Sequence, residues 1–210
     1  QTRAVVQAAV EKAIGLAAAA SGNVTVVRIN EGLLDFTGIN GLGGGQTVFM
    51  QSGEIRSNGG TNAPNAAGYY RFQVAGTNPT LYTLSHAAPA VMSGRVQLDT
   101  TANFVSEDGP AAADLRIDAS ITGGNQLRKQ GAGTLLLTGS NTFSGEMGIQ
   151  TGTLAIGASA FLASPVYRLT SGATLDVSAA SGWTVNPGQA LVDHPREAVD
   201  PAHAFLLFDR

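Results

Sequence analysis

Residues 127–157 read LRKQGAGTLLLTGSNTFSGEMGIQTGTLAIG, and the fold turns on how this stretch is read. Gly-Thr-Leu occurs twice, at 133–135 and 152–154, nineteen positions apart, and each copy opens a short apolar run. The two runs are either the arms of one hairpin or single turns of a pattern that repeats through the chain.

Working outward from the stretch, apolar-x-apolar triplets recur in both directions: Val27-Arg28-Ile29, Val48-Phe49-Met50, Phe72-Gln73-Val74, Val96-Gln97-Leu98, Leu115-Arg116-Ile117, Leu135-Leu136-Leu137, Leu154-Ala155-Ile156 and Leu175-Asp176-Val177. Their first positions are separated by 21, 24, 24, 19, 20, 19 and 21 residues. A period near 20 with short strands is too long for successive tight hairpins and too short for strand–helix–strand units. One architecture fits. The chain coils on itself, each coil stacked on the last at about 4.8 Å, the spacing of paired strands. In each triplet the outer two side chains then point inward and the middle one outward. The middle column (Arg28, Phe49, Gln73, Gln97, Arg116, Leu136, Ala155, Asp176) is mostly polar, and the inward columns are apolar throughout. Each buried aliphatic side chain contributes roughly 1.5–3 kcal/mol relative to exposure. Gly139, Ser140, Asn141, Gly145 and Gly152 fall at the corners, where sharp bends call for positive φ angles. The 24-residue intervals imply insertions, with GINGLGGGQT (38–47) and NGGTNAPNAAG (58–68) bulging out as loops.

Composition agrees. The 210 residues are 43% hydrophobic, enough to bury a core, while charged residues are only 13%, about half the usual share. With 27 glycines the chain suits many short strands joined by tight turns. Twelve Lys and Arg against fifteen Asp and Glu, with no basic run, argue against a phosphate-binding footprint for nucleic acid. The absence of cysteine excludes thiolate metal sites, Cys nucleophiles and disulfides, and it suits a chain that stays unfolded while crossing an oxidising compartment. No apolar run reaches 18 residues, so no helix spans a membrane.

Apolar positions Val6, Val10, Ala13 and Ala17, with Thr2 as N-cap and Gly22 as stop, predict a helix over 4–20. Residues 1–22 are thus expected to be an N-terminal cap, 23–192 the coiled body, and 193–210 an irregular C-terminal cap or the start of a further segment. The tail DHPREAVDPAHAFLLFDR carries six charges and two prolines, and 205–208 is expected to close the stack as a final strand. The start lacks an initiator Met and makes a poor signal peptide. It reads as a piece of a longer product or as a mature form.

The stretch 127–157 resembles the passenger-associated strand repeat of Gram-negative autotransporters. Lys129, Gly131, Gly133, Thr134, Leu135, Gly139, Asn141, Thr142, Phe143, Ser144, Gly145, Gly152 and Leu154 match that pattern, and SGATLDVSA (171–179) resembles the start of the next coil. Glu146-Met147 departs from it, since small residues are usual there, and implies a locally adjusted corner. The resemblance implies a secreted or surface-exposed β-helical passenger exported through an outer-membrane barrel that is not in this chain.

Candidate chemistry is sparse. Asp99 and Asp118 each follow a triplet, so stacking of adjacent coils would bring them about one strand spacing apart, near the 5 Å that retaining glycosidases use. Asp114, Arg116 and Asp118 would share an outward face as local charge pairing. His86, His194 and His203 lack metal-ligand spacing, and neither a calcium-coil motif nor a phosphate-loop Lys-Ser/Thr is present, so no cofactor or metal is expected. Alternation turns Tyr70, Phe72 and Val74 inward and leaves Tyr69, Arg71 and Gln73 exposed, an aromatic beside polar groups that can stack on sugar rings.

The expected fold is therefore all-β: a single-stranded, right-handed parallel β-helix of about 20-residue coils with an N-terminal helical cap, its hand following from the crossover rule. The expected function is a non-enzymatic passenger segment, a stalk or adhesin-like surface, whose partners are a host or neighbouring cell surface or a glycan. The alternative is a polysaccharide-degrading β-helix enzyme, lyase or glycoside hydrolase, using Asp99 and Asp118.

Overall fold

The computed structural model describes residues 5–7, 26–35, 42–43, 47–57, 69–73, 78–194 and 206–207. Among them the regular elements are all strands, and the chain winds as a parallel β-solenoid. Each turn visits three faces in rotation. The first face is an eight-stranded sheet from Val26–Ile29 to Ala190–His194, and the second a nine-stranded sheet from Val5–Gln7 to Leu206–Leu207. The third is a four-stranded sheet from Leu42–Gly43 to Ser120–Gly123. Ser140–Asn141 and Phe161–Leu162 extend it: the Thr142 N–H donates to the Ile121 carbonyl at 2.8 Å and the Ser144 N–H to that of Gly123 at 2.9 Å.

The opening stretch is one full turn and most of the next. Leu127–Gln130, Thr134–Leu137 and Ser140–Asn141 lie on the three faces in order, followed by Met147–Ile149, Thr153–Ile156 and Phe161–Leu162. Thr134 and Leu135 pair with Thr153 and Leu154, which pair with Thr174 and Leu175. The two Gly-Thr-Leu copies are the same corner on consecutive turns, and Leu135, Leu154 and Leu175 stack fully buried beneath it.

The register of the triplets needs correction. They do not form one column but fall on all three faces. Val27 and Val48 stack on the first face, Phe72 and Leu98 on the third, and the triplets beginning at Leu115, Leu135, Leu154 and Leu175 on the second. The neighbour of Val48 is Leu81, 33 positions on, followed by Phe104. Three faces of one solenoid share one period, so spacing alone cannot assign a strand to its face.

Corner glycines are needed for two different reasons. Gly152 has φ 67°, in the left-handed region that suits glycine. Gly139 and Gly145 have no positive φ; a Cβ there would strike the carbonyl oxygens of Ala119 and Asn125 in the turn below. Close stacking, rather than bending, excludes a side chain. At Glu146-Met147 the larger residues separate cleanly: Met147 is fully buried, while the Glu146 carboxylate accepts from Arg168 Nε at 3.1 Å one turn on.

At the N-terminus, Val5–Gln7 is a strand parallel to Leu33–Asp35 rather than a helical turn; the remainder of the expected helix lies outside the described residues. Within the glycine-rich run, Leu42–Gly43 pairs with Tyr70 and Arg71 as a strand, and 58–68 lies outside the described residues. In the tail, Asp193 and His194 end the last strand of the first face, and Leu206–Leu207 stacks beside Leu175 and Asp176.

Candidate functional site

Among the described residues the third face carries a groove. Its strands turn Tyr70, Phe72, Val96, Leu98 and Ile121 inward, which leaves the alternate positions in outward columns. One column runs Tyr69, Arg95, Ser120, Ser140. The other runs Arg71, Gln97, Thr122, Thr142. Tyr69, Arg95, Gln97, Ser120, Thr122, Ser140 and Thr142 line a groove of about 450 Å³ across four turns. The lining holds one cation, one amide, four aliphatic hydroxyls and a phenol, and no carboxylate.

Of the expected binding residues, Tyr69 and Arg71 open this face, but not as anticipated. Tyr69 is buried, only 5% exposed, and the Arg95 guanidinium of the next turn lies over its ring, 5.6 Å from the centre. Arg95 Nη1 also donates to the Tyr69 hydroxyl at 3.4 Å. The ring is therefore covered, and stacking on a sugar gives way to hydrogen bonding and charge. Arg71 Nε donates to Asp99 Oδ2 at 2.6 Å, and Gln97 Nε2 to Asp99 Oδ1 at 2.8 Å. Gln73 is partly buried at the end of the same row, and Val74 lies outside the described residues.

Asp99 and Asp118 are not brought together. Asp99 follows the strand Arg95–Leu98 on the third face, whereas Asp118 follows Leu115–Ile117 on the second. Asp118 accepts from Arg116 Nε at 3.0 Å and from the Thr138 hydroxyl at 2.6 Å, an outward ladder between turns. Asp114 does not share that face: it is buried, and one of its oxygens accepts from the Thr134 N–H at 2.7 Å. A Cβ on Gly133 would strike that carboxylate and the Glu107 carbonyl, so glycine at this corner makes room for Asp114.

His86 sits in a turn, its Nδ1 accepting from the Ala88 N–H at 3.1 Å and its Nε2 3.2 Å from Glu31. Among the described residues no three His, Asp or Glu side chains stand together as metal ligands. On the first face Arg28, Phe49 and Tyr82 form an outward ladder, the guanidinium 4.6 Å from the Phe49 ring centre and the two rings stacked at 4.9 Å.

Lys129 is the polar residue whose placement the sequence did not reveal. It occupies an inward position on the first face, between Phe104 and the residue over it, Ile149, and is fully buried. Its ammonium turns to the corner and donates to the carbonyls of Gln130, Gly131 and Thr151 at 2.8, 2.7 and 3.2 Å, tying one turn to the next. Burial pulls its pKa down to about 8, with Asp114 opposing that fall. Asn141 does similar work on the third face: its Oδ1 accepts from the Ile121 N–H at 3.3 Å and its Nδ2 donates to the Gly139 carbonyl at 2.8 Å. Both are buried and bonded at atoms that would otherwise be costly. The groove residues had a faint signal, Ser-x-Thr at 120–122 and again at 140–142, but the faces must be known before it can be read.

Among known families, the passenger-associated-transport-repeat matches residues 127–156. No curated protein and no solved structure matches the chain. The matched residues include the Lys129 clamp, the buried Asn141 and the stacked Gly-Thr-Leu corners. The chain thus carries a passenger-associated transport repeat, formed by one turn of its parallel β-solenoid and the first two strands of the next.

Proposed function

We propose that the chain is a non-enzymatic passenger segment of a Gram-negative autotransporter, displayed at the cell surface as a stalk with adhesin-like contact faces. Its translocating barrel belongs elsewhere in the full-length product. The observation that carries this reading is the transport repeat at 127–156, built into the solenoid as one of its turns rather than appended to it. Elementary physics supports it. Each turn bonds mainly to its neighbours, so the stack can grow turn by turn as an unfolded chain emerges, and no disulfide has to form first. Asp99 and Asp118, held on different faces, offer no two-carboxylate centre.

The test has two arms. Intact cells making the full-length product are treated with external protease and stained with antibody against this segment; digestion and staining are expected, and protection in sealed cells overturns display. Purified protein is incubated with acidic and neutral polysaccharides, with no new reducing ends or unsaturated products expected. Turnover lost on Asp99→Asn or Asp118→Asn would establish the polysaccharide-degrading alternative instead.

A further inference from the structure

Resting on the reading as a surface passenger, we propose that the third-face groove binds a glycan whose single acidic sugar sits at Arg95. Its neutral sugars then run over the Ser120/Thr122 and Ser140/Thr142 rows. The groove is long in the stacking direction and open to solvent, and its polar groups recur at the strand spacing of about 4.8 Å, close to the length of one pyranose unit. Along each strand the two columns stand about 7 Å apart, so a sugar ring lying across a row meets a hydroxyl on either side.

The chemistry of the lining selects among ligand classes. Hydroxyls and an amide both donate and accept, as a saccharide's own hydroxyls require. A guanidinium is a planar fork suited to a carboxylate, and no acid in the lining repels one. Asp99, beside the lining residue Gln97, is held by Arg71 and Gln97. A peptide ligand fits poorly. The face is the middle of a sheet with its backbone bonds used in the ladder, so it offers no edge for strand addition. Nucleic acid would require a row of cations to neutralise successive phosphates, and the lining has one. One cation beside a hydroxyl ladder matches a glycan with one carboxylated unit and a neutral remainder.

The experiment titrates the full chain with 3′-sialyllactose and, separately, with lactose, by calorimetry or chemical-shift perturbation. Sialyllactose is expected to bind at least about tenfold more tightly than lactose, the scale of one charge-assisted hydrogen bond. Arg95→Gln is expected to remove that advantage, weakening sialyllactose far more than lactose. Because Arg95 also covers Tyr69, the isosteric Thr122→Val and Thr142→Val provide a second route and are expected to weaken both sugars several-fold. Gln130→Ala, on the first face, is expected to change neither. Equal affinity for the two sugars, no binding of either, or binding indifferent to Arg95→Gln and Thr122→Val would overturn the proposal. Failure here with surface display intact refutes the groove assignment alone, whereas loss of display in the protease assay refutes the passenger reading.

Discussion

Lys129→Met isolates the least expected feature of the interior. At neutral pH the substitution has two opposing effects. It relieves the burial of a charge, which the fall from the ordinary 10.5 to about 8 puts at about 3 kcal/mol. It also removes the donor shared by three carbonyls. Thr151 is exposed, so water can replace one contact; the other two lose about 1–3 kcal/mol each if left unpaired. The two sides nearly balance, so stability at a single pH decides little. The pH dependence decides more. Below about pH 8 the ammonium is charged in both folded and unfolded chains, and its penalty is constant. Between about 8 and 10.5 the folded chain has released the proton while the unfolded chain keeps it, so stability rises with pH across that window. The advantage of the wild-type chain over the variant should therefore grow by about 3 kcal/mol from about pH 7 to about pH 11. Urea unfolding of both proteins at steps of one pH unit measures this, and the tyrosines common to both cancel in the difference. Parallel profiles would refute the reasoning, because Lys129 would then hold its proton equally well folded and unfolded.

Other substitutions probe the packing. Phe143→Ala removes a fully buried ring between turns and should cost about 3–5 kcal/mol in urea unfolding. Gly133→Ala places a methyl against the Glu107 carbonyl and the Asp114 carboxylate, whereas Gly172→Ala, with φ 82° but no atom within 4 Å, carries only backbone strain. The second should cost about 1–2 kcal/mol and the first clearly more, a ranking that thermal unfolding can check. Phe49→Ala breaks the outward ladder between Arg28 and Tyr82 and should cost about 1 kcal/mol, without change in circular-dichroism strand content. Asp118→Asn, on an exposed pairing with Arg116 and Thr138, should stay within about 1 kcal/mol of wild type by the same assay.

Much of the fold was legible because inward and outward alternation is a property of the local chain. Leu135, Leu154 and Leu175 announce their stack through spacing alone, and the structure places them one above another. Face assignment was not legible. Val48 looks equally well placed beside Phe72, 24 positions on, yet its partner Leu81 comes 33 positions on, after a longer intervening segment. The error in face carried directly into the candidate chemistry: Asp99 and Asp118 looked like neighbours only while both were set in one column. Tyr69 illustrates a different limit. Its position predicts exposure, but it is buried, and Arg95, twenty-six residues later, lies over the ring.

From the sequence alone came the solenoid, its period, its stacked Gly-Thr-Leu corners and the transport repeat, since each depends on nearby residues and on side chains alternating along a strand. The tertiary structure decided which strand lies on which face. It thereby dissolved the Asp99–Asp118 pair, assembled the groove from four separate turns, and turned Lys129 inward to its three carbonyls. Those outcomes depend on the lengths of the connections between strands, and a loop can lengthen without leaving any trace in the apolar alternation on either side of it.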